Sequence, residues 1–183
     1  YVLKYSVYYD IILCDTDGNI LAELDKTSKN KKSSDPLIKE ALETTKEYVE
    51  TLRYSDLQPD KPVSLLYSYR VTDPDTDANL GVLTLCFKFE DEMERVFGKL
   101  KEGNDWLVLT LLDREGIVIA SSDSYQIPVG VTLEKATNCD YKITKFAGRN
   151  YIAKTCATKG YQGFKGLGWY GHAMLPIEHA FEK

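Results

Sequence analysis

One stretch of this sequence occurs twice without a slip in register. Residues 11–25 and 109–123 each run as an apolar segment, an acidic turn closed by Gly, and a second apolar segment. Asp15 corresponds to Asp113, Gly18 to Gly116, Ala22 to Ala120 and Asp25 to Asp123. Gly supplies the positive φ that a tight turn needs, and the flanking Ile, Leu and Val residues suit a pleated sheet. Each copy therefore predicts a β-hairpin. A chain that starts a sheet twice in the same way is expected to hold two similar modules in tandem. The remaining elements should then also come in pairs.

They do. Residues 1–9 fit either a strand or the end of a longer helix, and the strand reading is firm from Tyr8 onward. After the first hairpin comes a polar, Lys-rich loop. Asp35-Pro36 then reads as a helix start, with Asp as N-cap and Pro at the first helical position, and Leu37, Ile38, Ala41 and Leu42 give that helix one apolar face. Residues 47–57, 63–72 and 80–89 read as strands, and 90–101 as a helix with Met93, Val96, Phe97 and Leu100 on one stripe. The second module repeats the scheme. A hairpin spans 106–121, a loop around Pro128 and Gly130 follows, strands occupy 141–146, 150–158 and 167–175, and Pro176 opens a terminal helix. Leu80-Gly81 corresponds to Leu167-Gly168. Five strands with a helical element or loop inserted after the second is a PAS-like arrangement. The expected fold class is α+β: two tandem PAS-like modules, each a central antiparallel β-sheet flanked by helices, over residues 1–101 and 102–183.

Charge and composition exclude several classes. The net charge is −5, with acids and bases interspersed, so no basic stripe is available for nucleic acid. No apolar run approaches the ~20 residues of a membrane span. The chain starts at Tyr1 in an apolar context, which reads as a piece of a longer protein. Two His and no Cys-x-x-Cys leave little material for zinc. His172 and His179 lack a third ligand. Asp73, Asp75 and Asp77 alternate as in a calcium loop, but Ala78 and Thr84 stand where Gly and Glu are required. There is no phosphate loop, no nucleophile elbow and no cofactor motif, so neither an enzyme nor a cofactor is expected.

The two Asp-x-x-Gly hairpins, the run from Leu80-Gly81-Val82-Leu83 to Phe89-Glu90-Asp91-Glu92-Met93-Glu94, and the C-terminal run Gly160-Tyr161-Gln162-Gly163-Phe164, Gly168-Trp169-Tyr170-Gly171-His172, Pro176-Ile177-Glu178-His179-Ala180-Phe181 together resemble the double Cache family. These are extracytoplasmic sensor regions of bacterial chemoreceptors, sensor kinases and cyclic-dinucleotide enzymes. The C-terminal run is most similar to methyl-accepting chemotaxis proteins. The resemblance covers nearly the whole chain, although the long N-terminal helix of the family is missing or reduced here. It implies a periplasmic small-molecule sensor, membrane-anchored through its parent protein, homodimeric in the full receptor, and signalling through its C-terminal helix. The amine and amino-acid recognising members carry a Tyr, Arg, Trp-Tyr and Asp signature that is not found here. Arg53, Tyr54 and Asp56 lack the Trp, and Trp169-Tyr170 lies in the second module.

Ligand pockets are largely apolar with a few placed polar groups. In the first module Tyr67 and Tyr69 share one strand face and Arg70 takes the other, while Arg53 and Asp56 are of the type to pair with a carboxylate or an amine. The competing reading makes these tyrosines ordinary sheet aromatics and Arg70 a solvated charge. In the second module Tyr161, Trp169 and Tyr170, near Tyr125 and His172, could form an aromatic box for a flat or cationic ligand, or simply an aromatic core. Cys139 and Cys156 lie nearly opposite across the turn at Gly148, as a disulfide or as two free thiols. Cys14 and Cys86 read as core.

Overall fold

The computed structural model describes residues 7–25, 31–137, 141–159 and 166–180. The chain divides into two compact units, residues 1–89 and 90–183. Each holds one five-stranded sheet, and every strand pair is antiparallel.

The first unit runs β1 (Tyr8–Cys14), β2 (Ile20–Glu23), α1 (Pro36–Glu43), β3 (Tyr48–Arg53), β4 (Ser64–Thr72) and β5 (Asn79–Phe87), with sheet order β2-β1-β5-β4-β3. After α2 (Phe89–Leu100), the second unit runs β6 (Val108–Leu112), β7 (Val118–Ser121), β8 (Lys142–Phe146), β9 (Arg149–Ala157) and β10 (Tyr170–Pro176), ordered β7-β6-β10-β9-β8. The two orders are the same order. In the second unit the element after the hairpin is a loop rather than a helix. Chain 177–179, expected to start a helix, is a 3-10 turn (Ile177–His179), and the rest of that expected helix lies outside the described residues.

The repeated hairpin repeats its hydrogen bonds. The Asp15 carboxylate accepts from the N–H groups of Asp17 and Asn19 at 2.9 and 2.8 Å. Asp113 accepts from those of Glu115 and Ile117 at 3.0 and 2.8 Å. Gly18 and Gly116 take φ of +84° and +92°, and each carbonyl then accepts from the chain that crosses behind it, from Ser33 and Leu133 at 2.9 Å. The acidic residue shapes the turn, and the Gly lets the next segment lie against it.

α1 forms where its caps and apolar spacing agree. Asp35 is the N-cap, its carboxylate accepting from Leu37 N–H at 2.8 Å, and Pro36 opens the helix. Leu37, Ile38 and Ala41 pack on Ile12, Cys14, Leu66, Val82 and Cys86 of the sheet. Thr44 ends the helix in extended conformation. The second core gathers Val108, Leu112, Val118, Tyr151 and Met174 beneath Ile127 and Leu133 of the loop at 122–136. Asp10, fully buried, accepts from the N–H groups of Ile11, Leu24 and Asp25 at 2.8–3.0 Å and so ties β1 to the end of β2.

Candidate functional site

Antiparallel register decides which side chains share a face, because directly paired residues point the same way. Tyr48 pairs with Tyr69 and Glu50 with Tyr67 across β3 and β4. Tyr69 and Tyr67 pair in turn with Leu83 and Leu85 of β5. These residues therefore occupy the face opposite α1. Tyr8, Tyr48, Tyr67, Tyr69, Leu83 and Leu85 line a cleft of about 330 Å³, in which Tyr48 and Tyr67 meet edge to face at 6.1 Å. Burial, then the nearby Glu50 carboxylate, push the Tyr67 hydroxyl up to about 12, so it remains a neutral donor. Tyr69 is 49% exposed at the rim.

The polar candidates of this unit do not join that cleft. Arg53 forms a fork on Asp35, Nη2 to Oδ1 at 2.6 Å and Nη1 to Oδ2 at 3.1 Å, and it also donates to the carbonyl of Tyr54. Burial raises the Asp35 carboxyl, but hydrogen bonds from Arg53, Ser55 and Leu37 outweigh it and hold the group below the usual carboxylate range. Asp56 accepts from the hydroxyls of Ser33 and Ser34 and from Ser34 N–H. Arg70 donates to the carbonyl of Leu42 at 3.2 Å, near the end of α1. These three side chains fasten α1 and the segment leading into it to β3, β4 and the loop after β3. Of the five candidate residues of the first module, Tyr67 and Tyr69 line this cleft.

In the second unit Tyr170 is half-buried against the core, with the Lys135 ammonium 4.5 Å from its ring centre. The carbonyl of Trp169 accepts from the N–H and hydroxyl of Thr158. Tyr161 lies outside the described residues, and Tyr125 is 97% exposed. Cys156 is an exposed free thiol on β9, while Cys139, the other half of the suggested pair, lies outside the described residues. Cys14 and Cys86 are buried in the first core, which raises both thiols above their usual range.

Absent from the candidate residues of the sequence is a second cavity, of about 240 Å³, between the sheet of this unit and the crossing segment 132–134. His172 and Met174 of β10, Thr144 and Phe146 of β8, and Leu133 line it. His172 is 2% exposed. Its Nδ1 lies 2.6 Å from the hydroxyl of Thr155, which accepts from Ala136 N–H at 2.7 Å. Its Nε2 has no hydrogen-bond partner among the described residues. Burial lowers its pKa to about 4, so the ring is neutral near pH 7. The alternation Tyr170, His172, Met174 was the available signal in the sequence, since residues two apart share a face.

Among the described residues no three His, Cys, Asp or Glu side chains gather to hold a metal ion, and no helix is long and apolar enough to cross a membrane. No family model and no curated protein matches the sequence. Solved structures do match in shape. The ligand-binding domain of the Pseudomonas aeruginosa PAO1 amino-acid chemoreceptor PctB, in complex with L-Arg, aligns over 100% of this chain and 77% of its own, with a TM-score of 0.71 at 15% identity. That of the Pseudomonas fluorescens chemoreceptor CtaA, in complex with L-alanine, aligns over 97% and 76%, at 0.67 and 13%. The sensor domain of the V. cholerae histidine kinase DctB aligns over 92% and 72%, at 0.61 and 13%. The fold of this chain is that of the Cache-type sensor domains of chemoreceptors and sensor kinases.

Proposed function

We propose that this chain is the small-molecule-sensing region of a membrane-anchored bacterial chemoreceptor, exposed outside the cytoplasm and dimeric in the full receptor. The observation that carries this reading is the shape match over nearly the whole chain to domains named for ligand binding or sensing. In the proposed mechanism a ligand held against the tyrosine face shifts the population between two states of the first unit, and the chain after β10 passes the displacement on. The first unit is the proposed binder, with Tyr67 and Tyr69 in contact with ligand, and the second unit couples binding to output. A second reading, a sensor region feeding a histidine kinase, is favoured by the match to the DctB sensor domain.

Amino acids are the first ligand class to test, since the PctB and CtaA structures contain them. Recognition here would differ from a free arginine clamp, because Arg53 is already forked on Asp35. The test is a thermal-shift screen of amino acids, amines and organic acids, followed by calorimetry on any hit. A ligand present at about 100 times its Kd stabilises the native state by roughly 2.7 kcal/mol and raises Tm accordingly. A class that raises Tm in the unmodified protein, and much less in Tyr67→Ala, supports the reading and its site. A rise unchanged by Tyr67→Ala makes the tyrosine cleft structural. No rise with any class overturns direct sensing.

A further inference from the structure

Where β10 ends, the chain turns through Ile177–His179, and the His179 imidazole lies on the indole of Trp106, in the segment leading into β6. The two planes are 5° apart and the ring centres 3.6 Å apart. Carbon atoms in contact are themselves about 3.5–4.0 Å apart, so one ring lies squarely over the other. Neutral aromatic pairs avoid this arrangement because both faces carry negative charge density, and they meet offset or edge to face instead. Tyr8 with Phe87 and Tyr48 with Tyr67 do so here, at 73° and 60°. A cation prefers the overlaid position, and indole is the best aromatic face for one.

Histidine is the residue type that changes charge between pH 5 and 8. The neighbouring Glu178 carboxylate accepts from Arg149 Nε at 2.6 Å. A backbone hydrogen bond, then that guanidinium, hold Glu178 below the usual carboxylate range, so this pair keeps its charges throughout. β9, the strand packed on the turn, contributes Tyr151 as well as Arg149, and Asp105 precedes Trp106 in the chain. Trp106 is 47% exposed, so water and protons reach the stack.

We infer that the Trp106–His179 stack is a proton-responsive latch: protonated His179 holds the indole more tightly and so fastens the turn after β10 to the entry of β6, and the neutral ring holds it less. Both residues belong to the second unit. The latch needs no ligand, so it stands or falls apart from the reading of the tyrosine cleft.

The test follows Trp106 fluorescence from pH 8 to pH 5 in the whole chain carrying Trp169→Phe, which leaves one indole. Imidazolium in contact with indole quenches it, so emission should fall on acidification, and His179→Gln should abolish the fall. Proton NMR of the unmodified protein gives a second reading. The indole ring current should move the His179 ring protons upfield of free histidine at the same pH, and more so at pH 5. Protonation should raise the ratio of closed to open latch about twofold to fivefold, the increment of a cation over an exposed aromatic face. Trp106→Leu should remove the upfield displacement. An equal fall in emission in His179→Gln overturns the proposal, and so does an upfield displacement that shrinks or stays constant on acidification. If Trp169→Phe does not fold, the NMR comparison decides.

Discussion

Gly81 stands where a methyl group has no room. A Cβ built there would lie 2.1 Å from the carbonyl oxygen of Cys14, so Gly81→Ala must push β5 away from β1 or bend one of them. The expected cost is about 3 kcal/mol, read as a lower midpoint in urea unfolding. His172 gives the second residue-scale prediction. Its pKa is depressed from 6.5 to about 4 by burial, so the unfolded chain binds the extra proton first as pH falls. The associated stability is fully present above pH 6.5 and is lost progressively down to about pH 4, by on the order of 3 kcal/mol at most. Urea titrations at a series of pH values should show this slope in the parent protein and lack it in His172→Phe. Arg53 gives the third. Its guanidinium serves Asp35, whose side chain is 1% exposed against 37% for Arg53, so Arg53→Gln should cost about 2 kcal/mol and leave ligand preference unchanged in calorimetry. The sequence offered Arg53 and Asp56 as ligand groups because their types suit one. Their real partners, Asp35 and the two serines, come close only when α1 lies over β3, and strand periodicity carries no trace of that placement.

At the scale of elements, local chemistry decided most of what was legible. Apolar runs placed β4 and β5 within a residue or two, and Asp35-Pro36 marked the start of α1. The two hairpins match because the same acid and the same Gly perform the same task. Gly18→Ala would set a Cβ 2.5 Å from the Ser33 carbonyl oxygen at φ +84°, and Gly116→Ala one 2.8 Å from that of Leu133 at φ +92°. Both should destabilise by about 2 kcal/mol or more, with the larger loss at Gly18, as compared by thermal unfolding of the two variants. Pairing across elements was harder to read. Cys14 faces Val82 and Leu112 faces Tyr170, which makes Trp169 the counterpart of Gly81 in the repeat, one residue from the Gly168 that the sequence pattern suggests. Each strand's pattern survives such a slip while the residue equivalences change. The His172 cavity was hidden for a related reason: its walls come from β8, β10 and the crossing segment 132–134, which are brought together by a topology that no single segment specifies.

For the whole molecule, two units with separate cores should respond separately to damage. Hydrogen exchange on a core variant such as Met174→Ala is expected to lose protection in β6, β9 and β10 while β1, β4 and β5 keep theirs. Equal loss in both units would mean that they unfold as one. Within the second unit, one side chain reaches two places. Arg149 Nη1 donates to the side-chain amide oxygen of Gln126 at 3.0 Å, and its Nε donates to the Glu178 carboxylate at 2.6 Å. Gln126 belongs to the loop at 122–136 that crosses over the His172 cavity, and Glu178 sits in the turn where β10 ends. A guanidinium is flat and stiff, so this one side chain ties the loop and the turn together. Arg149→Ala would cut both links at once.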